Sequence, residues 1–225
     1  MTDLIGAEAR VDTREMVLIH TFVRREFRLA AGVVRRVPSG EHRRAEPVAA
    51  HVQFLAEFLH HHHTIEDEFL WPLLLERVPD DLAPIVHLME SQHERLDRIL
   101  DELGHRLGQW RTSASAEDRE LLAATLDEAY VHVVEHLDAE EARLLPIAAR
   151  TLAQEEWDRL GVEGRKRSPR RHTALTLGMF QYEGDPEVFA GMLAKVPAPI
   201  RMVLLWRAGS TFRRHAQLIH GTTTP

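Results

Sequence analysis

The chain has 225 residues, of which 44% are hydrophobic and 28% charged, the balance of a folded protein with one domain or one domain and an appendage. It has no cysteine, which excludes disulfides, iron–sulfur clusters, cysteine zinc sites and thiol catalysis. The formal net charge of −7 argues against nucleic acid as the main partner. Since no apolar run approaches about 18 residues and no signal-peptide core is found, we expect a cytoplasmic protein without membrane association.

Residues 12–150 show the periodicity of four long helices joined by short connectors. The segment 38–47 interrupts the pattern, Pro72 is expected to kink the end of the second helix, and Pro146 to end the fourth. Long helices with short connectors pack antiparallel to their neighbours. The sequence therefore predicts an all-α, up-down-up-down four-helix bundle, with helices over about 12–37, 48–76, 83–110 and 117–145.

Residues 151–225 predict a helical C-terminal extension with shorter elements. Thr151 and Gln154 are spaced as a capping box for a helix ending near Gly161, and 164–171 is a basic connector. Asp185 and the proline after it are typical of a helix start, and a last helix is expected from about 199 to 221. The extension carries no functional motif, and the sequence leaves open whether it binds a protein partner or a second copy of the chain.

One eleven-residue pattern, H-x-x-x-E-(D/E)-x-x-L-x-P, occurs twice, from His62 and from His136. A further histidine precedes each copy at nearly the same distance: His20 lies 42 residues before His62, and His93 lies 43 residues before His136. Matching motifs with matching offsets indicate that the bundle consists of two copies of one helical hairpin.

Each helix carries a histidine on its apolar stripe, and two helices carry a carboxylate one turn further along that stripe. A buried carboxylate is costly unless it is paired or bound to metal, and none of the four stripes offers an arginine or lysine. Nitrogen and oxygen ligands suit iron, manganese or zinc, and six of them suit two carboxylate-bridged ions better than one tetrahedral zinc. The predicted metal ligands are His20, His62, Glu66, His93, His136 and Glu140.

The alternative is a purely structural helical core, because a lone histidine on an apolar face is usually an ordinary packed residue. Six such residues in duplicate argue against that reading. The sequence leaves open whether three further side chains join the site, namely His63, His132 and Tyr130. Three carboxylates next to the motifs are expected outside the core stripe, namely Asp67, Glu68 and Glu141.

These residues resemble hemerythrin-like proteins of the HHE cation-binding type over about 12–150. The resemblance implies a four-helix bundle holding two non-haem irons with an oxo or hydroxo bridge and two bridging carboxylates, zinc or manganese being the substitutes. Oxygen-carrying hemerythrins have a histidine where this chain has Met89 and an aspartate in the motif that here ends in Glu140. The pattern is closer to the H–HxxxE–H–HxxxE subgroup, and the extension resembles that of actinobacterial members. Ferritin-like bundles are a weaker match because they use Glu-x-x-His.

The resemblance implies a metal-binding protein that binds or senses dioxygen, nitric oxide or peroxide in oxidative or nitrosative stress. Two alternatives stay open: a di-iron enzyme that decomposes hydrogen peroxide in the manner of a catalase, and an iron sensor or donor whose fold reports metal occupancy. The sequence does not decide whether the chain is an enzyme.

Overall fold

The computed structural model describes residues 9–78, 80, 82–194 and 196–225, and within these ranges it is helical and without strands. The helix over 14–35 packs against the helices over 42–65 and 116–139, and the helix over 83–113 packs against the same two, which closes a four-helix bundle. The predicted all-α bundle with a helical C-terminal extension is confirmed. The bundle elements are α1 (Arg14–Arg35), α2 (His42–Ile65), a π-helical turn (Glu66–Leu70), α3 (Trp71–Arg77), α4 (Ala83–Ser113), α5 (Ala116–Ala139), a second π-helical turn (Glu140–Leu144) and α6 (Leu145–Thr151).

Both motif prolines lie within continuing helical segments, so the prediction that Pro146 ends the helix is wrong. Proline lacks an N–H, and its ring clashes with the carbonyl four residues earlier in an α-helix. In each copy a π-helical turn precedes the proline, which lies at the start of the following helix. The widened π-helical turn accommodates the proline ring. The helix therefore continues past Pro72 to Arg77 in the first copy and past Pro146 to Thr151 in the second.

The second helix begins at His42, six residues earlier than predicted, because Pro47 lies in its second turn and does not break it. A proline near a helix start removes only one backbone hydrogen bond, and the remaining turns of α2 are intact. The interruption in the sequence pattern is therefore confined to the connector before His42.

Two apolar clusters fill the interior, and the polar motif residues lie between them. On one side of the motif histidines lie four side chains of the larger cluster, each three residues from a histidine of its own helix: Val23, Leu59, Leu96 and Val133. On the other side the smaller cluster contributes Met16, Leu70, Met89 and Leu144. All eight side chains are buried, and burying a side chain of this kind stabilises the fold by about 1.5–3 kcal/mol.

The extension covers the first hairpin of the bundle. It contains α7 (Gln154–Arg167), α8 (Thr173–Glu183), α9 (Pro186–Met192) and α10 (Ala198–His220). Helices α8 and α9 pack on α1, α7 and α10 pack on α2, and α8 packs along α10. The division of the chain into units at about residue 150 stays a prediction. No helix in the described ranges combines the length and apolarity that crossing a bilayer requires.

The predicted ends of these helices are partly correct. Asp185 caps α9 by accepting hydrogen bonds from the N–H groups of Glu187 and Val188. The capping box at Thr151 is wrong, because that residue ends α6 and the Glu156 side chain accepts from the N–H of Ala153. The first extension helix also runs to Arg167, past Gly161, so part of the basic connector is helical.

Helices α8 and α10 approach closely at Gly178. A Cβ added there would lie 2.4 Å from the carbonyl oxygen of Ala208 and 2.7 Å from the Cβ of Phe212. Two backbones this close leave no space for a methyl group, so the packing of the extension depends on this glycine.

We expect Gly178→Ala to lower the free energy of unfolding by about 1–3 kcal/mol, as overpacking does. Gly104 is the matched control, since it lies on the exposed face of α4 and a Cβ there would meet nothing within 4 Å. Gly104→Ala should stabilise the protein by about 0.4–1 kcal/mol. Urea denaturation followed by circular dichroism measures both, and equal effects of the two substitutions would contradict the close approach.

Candidate metal centre

Seven buried histidines and glutamates converge between the helices of the bundle. They form two groups, and within each group the atoms able to bind a metal lie within 4.8 Å of one another. Every one of the six predicted ligands belongs to a group, and His63 is the seventh member. The first group is His20, His62, Glu66 and Glu140; the second is His63, His93 and His136.

The two glutamates connect the groups. Glu66 places Oε1 3.3 Å from Nε2 of His62 and Oε2 3.6 Å from Nε2 of His93. Glu140 Oε2 lies 3.3 Å from Nε2 of His20 and 3.8 Å from Nε2 of His136. Each carboxylate therefore has one histidine of either group beside it, which is the position a bridging ligand requires.

Most of the metal-binding atoms lack hydrogen-bond partners, namely Nε2 of His20 and of His62, both ring nitrogens of His63, and all four carboxylate oxygens of Glu66 and Glu140. Nε2 of His93 and Nε2 of His136 lie 3.2 Å apart, within hydrogen-bond distance of each other. No arginine or lysine of the described chain forms an ion pair with either glutamate, although both are buried. Leaving buried polar groups unsatisfied costs about 1–3 kcal/mol each, and charged groups more. Cations bound between these atoms would compensate that cost.

Burial controls the protonation of the centre. It raises the pKa of Glu66 well above its ordinary value, with a further rise from the neighbouring charge of Glu140, and it also raises the pKa of Glu140. Burial, followed by repulsion from neighbouring imidazoles, lowers the pKa of His62, His63 and His136 well below the ordinary value. These imidazoles are therefore neutral at pH 7 and present nitrogen lone pairs, as metal binding requires.

The outer ring nitrogens of two histidines donate to carboxylates at equivalent positions of the repeat. Nδ1 of His93 lies 2.7 Å from Oδ1 of Asp67, and Nδ1 of His20 lies 2.8 Å from Oε1 of Glu141. Asp67 also accepts from Nε1 of Trp71 at 2.7 Å, so its orientation is fixed. Metal-bound histidines typically donate their second N–H to such a group, which orients the ring and raises its basicity.

Asp67 and Glu141 lie outside the fully buried core, as predicted, yet both contact the centre. Each directly follows a candidate bridging glutamate, at the point where the π-helical turn begins. A third contact was not predicted from the sequence: Gln92 Oε1 lies 3.2 Å from Nδ1 of His136. Glu68, in contrast, forms an ion pair with Arg167 at the surface.

His63 makes the centre asymmetric. The repeat aligns it with Leu137, which packs in the larger apolar cluster. One group consequently offers three imidazoles and the other two. Periodicity puts His63 just outside the apolar stripe of its helix, because it directly follows His62. The one sequence feature that pointed to a role for His63 is that the second copy of the repeat has no histidine at the equivalent position.

The other residues that the sequence left open lie apart from the two groups. His132 pairs with Glu135 at 3.3 Å, and Tyr130 is a half-buried residue against the larger apolar cluster. His60 is exposed and pairs with Asp97. None of these side chains belongs to a group of potential ligands among the described residues.

We expect His63→Ala to weaken metal binding by at least the roughly tenfold that removal of an outer-shell partner costs. The neighbouring His61→Ala is the control, because His61 is half-exposed and belongs to neither group. Competition of each purified protein with a chromophoric chelator for ferrous iron gives the affinities. Equal affinities of the His63→Ala variant and the wild type would contradict a ligand role.

The chain matches the family model described as the hemerythrin HHE cation-binding domain over residues 11–148, which is more than half of its length. All seven residues of the two groups lie in this range. No curated protein and no solved structure matches the chain significantly. The match does not separate subgroups, so the H–HxxxE–H–HxxxE and actinobacterial assignments stay predictions. The chain belongs to the hemerythrin HHE cation-binding domain family and is a cation-binding protein.

Proposed function

We propose that the chain holds two iron ions and uses them to bind or sense a small uncharged ligand: dioxygen, nitric oxide or hydrogen peroxide. The observation that carries the proposal is that two buried glutamates, whose carboxylate oxygens lack hydrogen-bond partners, each lie beside one histidine of either group. Imidazole and carboxylate without sulfur suit iron among the transition metals, with zinc or manganese as substitutes.

In this assignment His20 and His62 would hold one iron, and the imidazoles of His63, His93 and His136 would hold the other. Glu66 and Glu140, each beside a histidine of either group, would serve as the shared carboxylates. When bound, the iron pair supplies redox chemistry and Lewis acidity to a ligand at the site. Five imidazole nitrogens and four carboxylate oxygens fall short of the twelve positions of two octahedral ions, so positions are left for exogenous ligands.

The unequal numbers of imidazoles predict where the ligand binds. An ion held by His20 and His62 would have one protein nitrogen fewer than an ion held by the other group, so we expect an exogenous ligand to bind on the side of His20 and His62. Buried apolar side chains one turn from the ligands, including Leu70, Met89 and Leu144, exclude water and favour small uncharged molecules over ions.

Peroxide decomposition is the second candidate, and one feature of the structure favours it. A chain of contacts leads from the centre to the surface: Nδ1 of His20 donates to Glu141, which also accepts from Arg24 at 2.7 Å. The side chains of Glu141 and Arg24 are 26% and 24% exposed. A carboxylate can take up and return a proton, so Glu141 is suited to proton exchange during peroxide turnover, and Arg24 holds it in place.

The test uses protein loaded with ferrous iron under anaerobic conditions and then exposed separately to dioxygen, nitric oxide and hydrogen peroxide. We expect about two irons per chain, as in other di-iron bundles, and a stable adduct with nitric oxide, seen by optical spectroscopy. Oxygen evolution from hydrogen peroxide, measured with an electrode, would favour the enzymatic alternative. Loss of helicity on iron removal without any adduct would favour the iron sensor.

Glu66→Gln and Glu68→Gln provide a matched pair in one helical turn, since only Glu66 faces the centre. The first substitution should abolish the spectral response and lower the iron content, and the second should change neither. A wild-type protein that takes up iron and responds to none of the three ligands would overturn the proposal.

A further inference from the structure

A third group of potential metal ligands lies where the extension meets the bundle. Glu26 of α1, His51 of α2 and His220 of α10 place their metal-binding atoms within 4.8 Å of one another. Glu26 follows His20 by six residues, roughly 9 Å along a helix, and His51 precedes His62 by eleven, roughly 16 Å. The group is therefore separate from the centre described above, and it includes a residue outside the range of the family match.

Two of the three facing atoms in this group, Glu26 Oε2 and His51 Nε2, are buried and lack hydrogen-bond partners. Glu26 Oε2 lies 3.2 Å from Nε2 of His51 and 3.8 Å from Nε2 of His220. The side chains of Glu26 and His51 are fully buried, and that of His220 is 4% exposed. The lack of a hydrogen-bond partner also marks most metal-binding atoms of the central site.

The other carboxylate oxygen of Glu26, Oε1, already accepts a hydrogen bond. Arg25 donates from its guanidinium to Oε1 of Glu26, and its Nε lies 3.4 Å from Glu183. Arg25 thus holds the carboxylate from one side and leaves Oε2 directed at the two imidazoles. An ion pair with Arg25 alone explains Oε1 but gives no reason for two histidines on Oε2.

His51 has the outer contact that is typical of a metal-bound histidine. Its Nδ1 lies 3.0 Å from Nε2 of His215. A proton on Nδ1 that is donated to His215 would leave Nε2 its lone pair toward Glu26, the arrangement of a metal-bound histidine. Burial lowers the pKa of His220 to about 4, which favours a neutral imidazole at that position. Arg44 of α2 positions the end of α10 by donating to the carbonyl oxygens of Leu218 and Ile219.

The internal repeat shows that the group is specific to the hairpin that the extension covers. In the second copy the positions equivalent to Glu26 and His51 are Ile99 and Thr125. The Glu26–His51 pair is thus not part of the repeated bundle pattern. It lies where α10 brings a further histidine, His220.

We propose that Glu26, His51 and His220 form a mononuclear site for a divalent transition-metal ion, with zinc the best fit. Two imidazoles and one carboxylate are a frequent zinc donor set, and three protein ligands leave a fourth position for water or another ligand. Because the ligands come from three helices, the bound ion fastens the C-terminal helix to the first hairpin. The proposal does not depend on the iron assignment of the central site.

The test measures zinc per chain after the metal-free protein is loaded with Zn²⁺ and passed over a desalting column. We expect His220→Ala and the isosteric Glu26→Gln each to hold one zinc fewer than the wild type. Gln217→Ala is the matched control, because Gln217 is exposed on the same helix, and it should hold as much zinc as the wild type. In a His63→Ala background, His220→Ala should again remove one further zinc, which separates this site from the central one.

A second measurement keeps the proposal testable if the His220→Ala variant fails to fold. Trypsin cleavage after Arg213 and Arg214, which are exposed on α10, requires local opening of that helix. Zn²⁺ should slow this cleavage at least about tenfold in the wild type, and by much less in the Glu26→Gln variant. Equal zinc content of the wild type and His220→Ala, together with cleavage that Zn²⁺ does not affect, would overturn the proposal and leave a buried ion pair only.

Discussion

The structure depends on two carboxylates, Glu66 and Glu140, that lie buried in the bundle and form no ion pair with an arginine or lysine of the described residues. A buried charge of this kind is tolerated only if it is paired, bound to metal or neutralised by a proton. Neither carboxylate has a hydrogen-bond partner, and His62 and His20 each place an unpartnered Nε2 beside one of them, which is unfavourable for a metal-free core and favourable for a metal-bound one. The apolar clusters above and below supply the stability that lets the chain retain this polar layer.

The π-helical turns connect the sequence repeat to the site. Each begins at a candidate bridging glutamate, and the next residue, Asp67 or Glu141, orients a histidine of another helix. The proline that follows in both motifs is compatible with this widened turn. The histidine at position 63 then departs from the symmetry, and that departure gives the two groups unequal numbers of imidazoles. Repetition accounts for the scaffold, and the proposed function derives the side on which a ligand binds from this one unmatched residue.

Periodicity alone predicted the bundle and brought His20, His62, Glu66, His93, His136 and Glu140 to one place, because each lies on an apolar stripe. It did not place His63, which lies one residue off its stripe, or the contacts of Asp67 and Gln92, which depend on how neighbouring helices pack. Pro146 was misread because its effect depends on the hydrogen bonding of the preceding turn. Glu26, His51 and His220 were missed for a further reason: they come from three helices and share no local motif.

The central claim is that two ions bind between the two groups of imidazoles with Glu66 and Glu140 bridging them. Diffraction from crystals of the iron-loaded protein, recorded on either side of the iron absorption edge, tests it most directly because the anomalous signal locates each ion. The account predicts two peaks, one beside His20 and His62 and one beside His63, His93 and His136. A single peak, or peaks away from both glutamates, would contradict it.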